Sequence, residues 1–307
     1  MNPFSVGTTA ADSLGLDSMN NYKHSGRITL FGAIGSAVAG FAAGFPLAFI
    51  YAWGIIQISD EHAAGLATLA FGALIGAAVW GVARLGKVRN AQIVGVIAVC
   101  AATASLYWSW AFWVNNIIHN SGEEELNAIT LMQQPHALWE MIKQINQDGT
   151  WGTTAGNPTK GTELWILWMC EAVAVVGTAA VTAVTGIKSQ PFCEACQVWC
   201  SATEKLLLSP VNNLVQTKLQ LAQRDLSFLQ KLGTGDKKRV HLSAALHSCP
   251  SCHELNTLTL RQTAVPQSRF RSPHVILADK MLVSRAEADS FRRTAAGVKQ
   301  LAKATYG

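Results

Sequence analysis

Two Cys-x-x-Cys pairs carry the clearest chemical signal in this sequence: Cys193-Glu194-Ala195-Cys196 and Cys249-Pro250-Ser251-Cys252. A turn of this kind sets two sulfurs close enough to share one ion. Two such turns complete the four thiolates of a tetrahedral zinc site. Four protein ligands leave no position open for water or substrate, so the metal expected is a structural Zn2+ that folds a domain whose core is thin. Between the pairs, from Cys196 to Cys249, lie 52 residues, which leaves room for a helical insertion. The second pair runs into a strand-like segment, residues 255–260, the usual setting of a zinc ribbon. A redox dithiol and two pairs with no shared site stand beside this reading as alternatives. Cys200 is spare: an alternate ligand or a buried small hydrophobe. His247 and His253 flank the second pair, as substitute ligands or as solvated surface.

Glu171 is the second group with chemical potential. It falls about two turns into an apolar run, and an ionised carboxylate at that depth costs about 2.5–3.5 kcal/mol on insertion scales. One reading is an ion, proton or ligand site. The other is a carboxyl that fixes helix packing through Ser105 or Ser109. No basic residue inside another apolar run offers a counter-ion.

The third is basic charge near the end of the chain: Lys237-Lys238-Arg239, Arg292-Arg293, Lys299 and Lys303. Residues 188–307 hold 17 Lys/Arg against 8 Asp/Glu. Such charge meets anionic lipid headgroups at about 1 kcal/mol per residue near a membrane surface. A cytosolic protein or plain solvent are the other partners for it. Nucleic acid is not expected for a domain tethered to a bilayer. The sequence holds no Walker A loop, no strand-linked Gly-x-Gly-x-x-Gly, no Gly-x-Ser-x-Gly and no His-Glu-x-x-His. It gives no sign of an enzyme.

The elements that must position these groups are mostly apolar helices. Only 14% of the 307 residues are charged, against about a quarter in soluble chains. From residue 28 to 83 only Asp60, Glu61 and His62 can carry charge near neutral pH, and from 90 to 113 nothing can. A helix needs about 20 apolar residues to cross a bilayer. The spans expected are residues 30–56, 63–83, 91–114 and 164–187. Residues 1–27 hold no apolar signal segment and read as a mobile leader. Basic residues set the orientation. Lys23 and Arg27 precede the first span, Arg84, Lys87 and Arg89 lie between the second and third, and Lys188 follows the fourth. The link 57–62 has no Lys or Arg, and the loop 115–163 is acidic, with Glu123, Glu124 and Glu125 among its carboxylates. Both termini are therefore expected on the cytoplasmic side of a bacterial cytoplasmic membrane. Trp53, Trp108, Trp110, Trp113, Trp165 and Trp168 fall at the outer ends of their spans, as interface anchors do.

The fold expected is a membrane all-α four-helix bundle (residues 28–187), followed by a small α+β cytosolic domain of zinc-ribbon type (188–307). Gly40-x-x-x-Gly44 and Gly72-x-x-x-Gly76 let helices approach closely, within the bundle or in a homo-oligomer. In the outer loop, residues 135–145 read as a short helix with Leu138, Ile142 and Ile145 on one face. In the tail, 211–232 reads as a helical run and 275–283 as a second strand, with a turn from Pro266 to Pro273 between the strands. Ser284-x-x-Glu287 reads as a capping box opening a basic final helix.

Four segments together resemble a loose group of bacterial four-span membrane proteins with a cysteine-bearing cytosolic tail and uncharacterised activity. They are Lys87-Val88-Arg89-Asn90, Gly149-Thr150-Trp151, Leu164-Trp165-x-x-Trp168-x-x-Glu171-Ala172 and Phe192-Cys193-x-x-Cys196-x-x-Trp199. The resemblance implies the topology and the metal and carries no reaction with it. The function expected is a non-enzymatic scaffold, sensor or regulatory component with a zinc-stabilised docking domain. A membrane thiol-disulfide oxidoreductase is one alternative. A small transporter or channel built on Glu171 is another.

Overall fold

A computed structural model describes residues 20–121, 127–150, 158–236, 238–263 and 274–306. Several sequence expectations lie outside the described residues: most of the leader, Glu123 to Glu125, Trp151, Lys237 and the Pro266–Pro273 turn. The side chains of Lys299 and Lys303 lie outside them as well. The chain divides into two compact units. One is Ser25–Ser189, and the other joins residues 190–306 with residues 20–24.

The first unit is helical. Four long apolar helices stand on the charge-poor runs: α1 (Leu30–Gln57), α2 (Glu61–Leu85), α3 (Ala91–Ser121) and, after the loop, α6 (Thr162–Lys188). All four are long and apolar enough to cross a membrane. The α1–α2 link is tight because the Asp60 carboxylate accepts the Ala63 amide at 2.7 Å, capping α2. α1 packs on α2 and α3, and α6 packs on the same two helices. Glycines make the packing close. A Cβ on Gly72 would sit 2.3 Å from the Val175 carbonyl oxygen, and one on Gly76 2.3 Å from that of Ala179, both on α6. Gly40 and Gly44 serve the α1–α3 seam in the same way, against Ala101 and Ser105. Both small-residue pairs are thus used inside the bundle. Phe41, Phe45 and Phe49 of α1 interleave with Trp108 and Phe112 of α3 through edge contacts of 5.3–6.2 Å.

Two short helices fill the loop between α3 and α6: α4 (Ala128–Gln133) and α5 (Pro135–Asp148). α5 buries Leu138 and Ile142 against Ala111, Val114, Leu164 and Trp168. Gly149 has φ +90°, which ends α5 where an L side chain would be strained.

The second unit is built on an antiparallel sheet. Its strands β3 (Ser201–Leu208), β4 (His241–Ser248), β5 (Asn256–Thr263) and β6 (His274–Val283) pair in chain order. A smaller hairpin, β1 (Phe192–Cys193) with β2 (Val198–Trp199), precedes them. The sequence pointed to β5 and β6 but took the insertion between the cysteine pairs as helical. It is instead β2, β3, two short helices and β4. The helical run 211–232 is broken into α7 (Leu214–Ala222) and α8 (Phe228–Lys231). Arg224 takes a positive φ of 59°, and the Asp225 carboxylate accepts the Ser227 amide at 2.9 Å, a local turn that competes with helix.

Burial alternates along β4, with Leu242, Ala244 and Leu246 inward. They meet Leu258 and Leu260 of β5, Met281 of β6, and Ala288, Phe291 and Ala295 of the last helix, α9 (Arg285–Tyr306). α9 opens on the expected capping box: the Ser284 amide donates to Glu287 at 2.6 Å and the Glu287 amide to Ser284 Oγ at 3.3 Å. Residues 20–22, within the expected leader, extend the sheet beyond β6. The Tyr22 amide donates to the Lys280 carbonyl (2.9 Å) and the Leu282 amide to that of Asn20 (2.8 Å).

Candidate metal centre and a buried carboxylate

Each cysteine pair sits on a turn next to a strand end. Cys193 closes β1, and Cys196 lies in the turn that leads into β2. Cys249 follows β4 directly, and Cys252 lies in the turn before β5. The two turns share a backbone signature. The residue after the second cysteine is left-handed in both: Gln197 at φ 56° and His253 at φ 57°. A non-glycine residue is held there only when its surroundings over-determine it. The sequence already held this clue, as equivalent positions in two equal motifs.

The four sulfurs of Cys193, Cys196, Cys249 and Cys252 all lie within 4.8 Å of one another. Cys193 Sγ and Cys252 Sγ are 3.8 Å apart, about the edge of a tetrahedron around an ion bound at roughly 2.3 Å. Four cysteines so arranged can hold a metal ion. Crowding also spreads their acidities. The Glu254 amide donates to Cys252 Sγ at 3.5 Å and holds that thiol down at about 6. Contact with Cys252 pushes Cys196 up to about 12, and burial raises Cys193. Four thiolates at this spacing repel strongly unless a cation sits among them.

Neither flanking histidine joins the cluster. Cys200 is buried against Cys193 and Cys249 yet stays outside the four-sulfur group. Burial pushes its thiol up to about 12, so it behaves as a small hydrophobe. Cys200→Ala is expected to keep the full metal content and to cost about 1 kcal/mol. Elemental analysis of the variant checks this, and a loss of metal would place Cys200 among the ligands.

A polar network braces the second turn. Ser248, next to Cys249, donates to Asn256 Oδ1 at 2.7 Å, and Arg292 of α9 donates to Ser248 Oγ at 2.8 Å. Arg292 is therefore turned inward. Lys238, Arg239 and Arg293 are the exposed members of the basic set.

Glu171 lies on α6, inside the bundle and half-buried. Its partner is neither serine expected from the sequence. Ser105 donates to the Ala101 carbonyl and Ser109 to that of Leu106, within their own helix. The donor to Glu171 is the Tyr51 hydroxyl of α1, 120 residues away, which also contacts Thr68 Oγ1 of α2 at 2.9 Å. Tyr51 stacks on Phe71 with ring centroids 4.6 Å apart. One carboxyl thus ties α6 to α1 and α2.

The six tryptophans differ in placement. Trp53 is 59% exposed, while Trp108 packs among the phenylalanines of α1. Trp110, Trp113 and Trp168 gather instead, with pairwise centroid distances of 4.8–6.2 Å and planes 77–86° apart. Trp165 joins Trp168 to Trp139 of α5.

No family model matches the chain, and neither a curated protein nor a solved structure matches it.

Proposed function

We propose that the protein is a four-span component of a bacterial cytoplasmic membrane whose tail is a zinc-stabilised docking module on the cytosolic side, with no catalysis of its own. The observation that carries this reading is the four-cysteine cluster. A zinc ion held by Cys193, Cys196, Cys249 and Cys252 has no open coordination position, which suits scaffolding and leaves no place for a reacting group. Around it the two knuckle turns and β5 would form a zinc-ribbon-like element inside a larger sheet domain. Lys238, Arg239 and Arg293 offer positive charge to a cytosolic protein or to anionic headgroups. The orientation rests on Arg84, Lys87, Arg89 and Lys188 lying at the same end of the spans.

Protease accessibility tests both parts. In inside-out membrane vesicles the tail is exposed to added trypsin, and in right-side-out vesicles it is shielded. With Cys193→Ser, digestion in inside-out vesicles is expected to speed up at least several-fold, because the tail then samples its unfolded state. Cleavage of the tail in right-side-out vesicles would refute the topology. Equal rates for the variant and the unmodified chain would refute the stabilising metal.

A further inference from the structure

Glu171 and the three gathered indoles border one cavity in the helical unit, about 690 Å3 in volume, at the end of the bundle where α1 turns into α2. That volume is in the range of sites for small organic molecules. Tyr51, Glu171 and Ser109 line its depth, and Trp110, Trp113 and Trp168 wall it. Asp60, Glu61 and Asp148 stand at its rim. The described lining includes four carboxylates and no Lys, Arg or His.

We propose that this cavity binds an organic ammonium ion, its positive centre against the indoles and beside the Glu171 carboxylate. Trp110, Trp113 and Trp168 bring three indoles to one cavity wall, and aromatic rings attract a poorly hydrated cation. The carboxylate supplies the counter-charge, and a cation in turn relieves the cost of placing that carboxylate in the span. The rim carboxylates raise the local concentration of cations at the mouth. An inorganic divalent ion fits less well. Among the described residues no three of these carboxylates come within ligand distance of one another, and the cysteines form the one such cluster. The Tyr51 hydroxyl orients Glu171 and ties the occupied site to α1 and α2. This site is independent of the tail metal, so either can fail without the other.

The test compares choline with 3,3-dimethyl-1-butanol, its uncharged isostere, by titration calorimetry on the full chain in maltoside detergent. Choline is expected to bind at least about tenfold more tightly than the isostere. Glu171→Gln is expected to lower choline affinity by about tenfold or more and leave the isostere unchanged. Trp113→Leu should weaken choline binding as well. Equal binding of choline and the isostere to the unmodified protein would overturn the proposal, whatever the variants do. So would an absence of choline binding at millimolar concentration, or unchanged affinity in a folded Glu171→Gln protein.

Discussion

Replacing Cys249 with serine is expected to strip the metal and unfold the tail. Cys249 is fully buried and joins β4 to the second turn. Structural zinc contributes about 10–16 kcal/mol of apparent binding free energy in small zinc-folded peptides. Losing the ion together with one of its four thiolates therefore removes a contribution of that order from the tail. A domain of this size has about 5–15 kcal/mol in total, so most of its margin would go. The readout is denaturant unfolding of the full chain followed by tail-specific hydrogen exchange. Protection of the β4 and β5 amides should fall together, because Cys249 donates its own amide to Leu255 and starts the β4–β5 connection. The four-helix unit, with a separate core, should keep its protection. Retained metal and unchanged protection in Cys249→Ser would show that the cysteines do not act as a set.

The second large effect lies in the bundle. Gly72→Ala and Gly76→Ala are each expected to cost about 1–3 kcal/mol by overpacking, and together to separate α2 from α6. The atoms a methyl would strike are backbone carbonyls of Val175 and Ala179, 2.3 Å away in each case, which no rotamer change can move. Gly81, on the same helix, has nothing within 4 Å of a built Cβ. Gly81→Ala should be neutral or stabilise by up to about 1 kcal/mol through helix propensity. Detergent-titration unfolding of the three variants separates these cases. Equal midpoints for Gly76→Ala and Gly81→Ala would remove the close α2–α6 seam from the account.

The long helices and the cysteine cluster were legible because each leaves a signal in composition or short spacing. A run such as 28–83 with three ionisable groups admits few environments but a bilayer. A pair of Cys-x-x-Cys motifs sets sulfur geometry within each turn by chain connectivity alone. The β3 and β4 strands were not read. β3 carries its leucines in one block, Leu206-Leu207-Leu208, without alternation, and β4 alternates through alanines and serines that favour strands weakly. The Glu171 partner was also missed. Tyr51 is 120 residues away in sequence, and only the packing of α1 and α6 on the same two helices, α2 and α3, brings the two together. A tyrosine within an otherwise apolar run was the available clue, since its hydroxyl needs a partner. The indole group escaped notice for a similar reason. The sequence shows where Trp110, Trp113 and Trp168 fall along their helices, while the side each faces depends on tertiary packing.

Metal and thiols counted together on the purified full chain put the central claim to its most direct test. The folded protein is expected to carry one zinc ion per chain by elemental analysis. Titration with a mercurial reagent should release that zinc as the thiols of Cys193, Cys196, Cys249 and Cys252 react. The released ion is followed by a zinc-sensitive dye. A chain that binds no metal after expression in zinc-supplemented medium, or that keeps its zinc after all four of these thiols have reacted, would contradict the four-thiolate site.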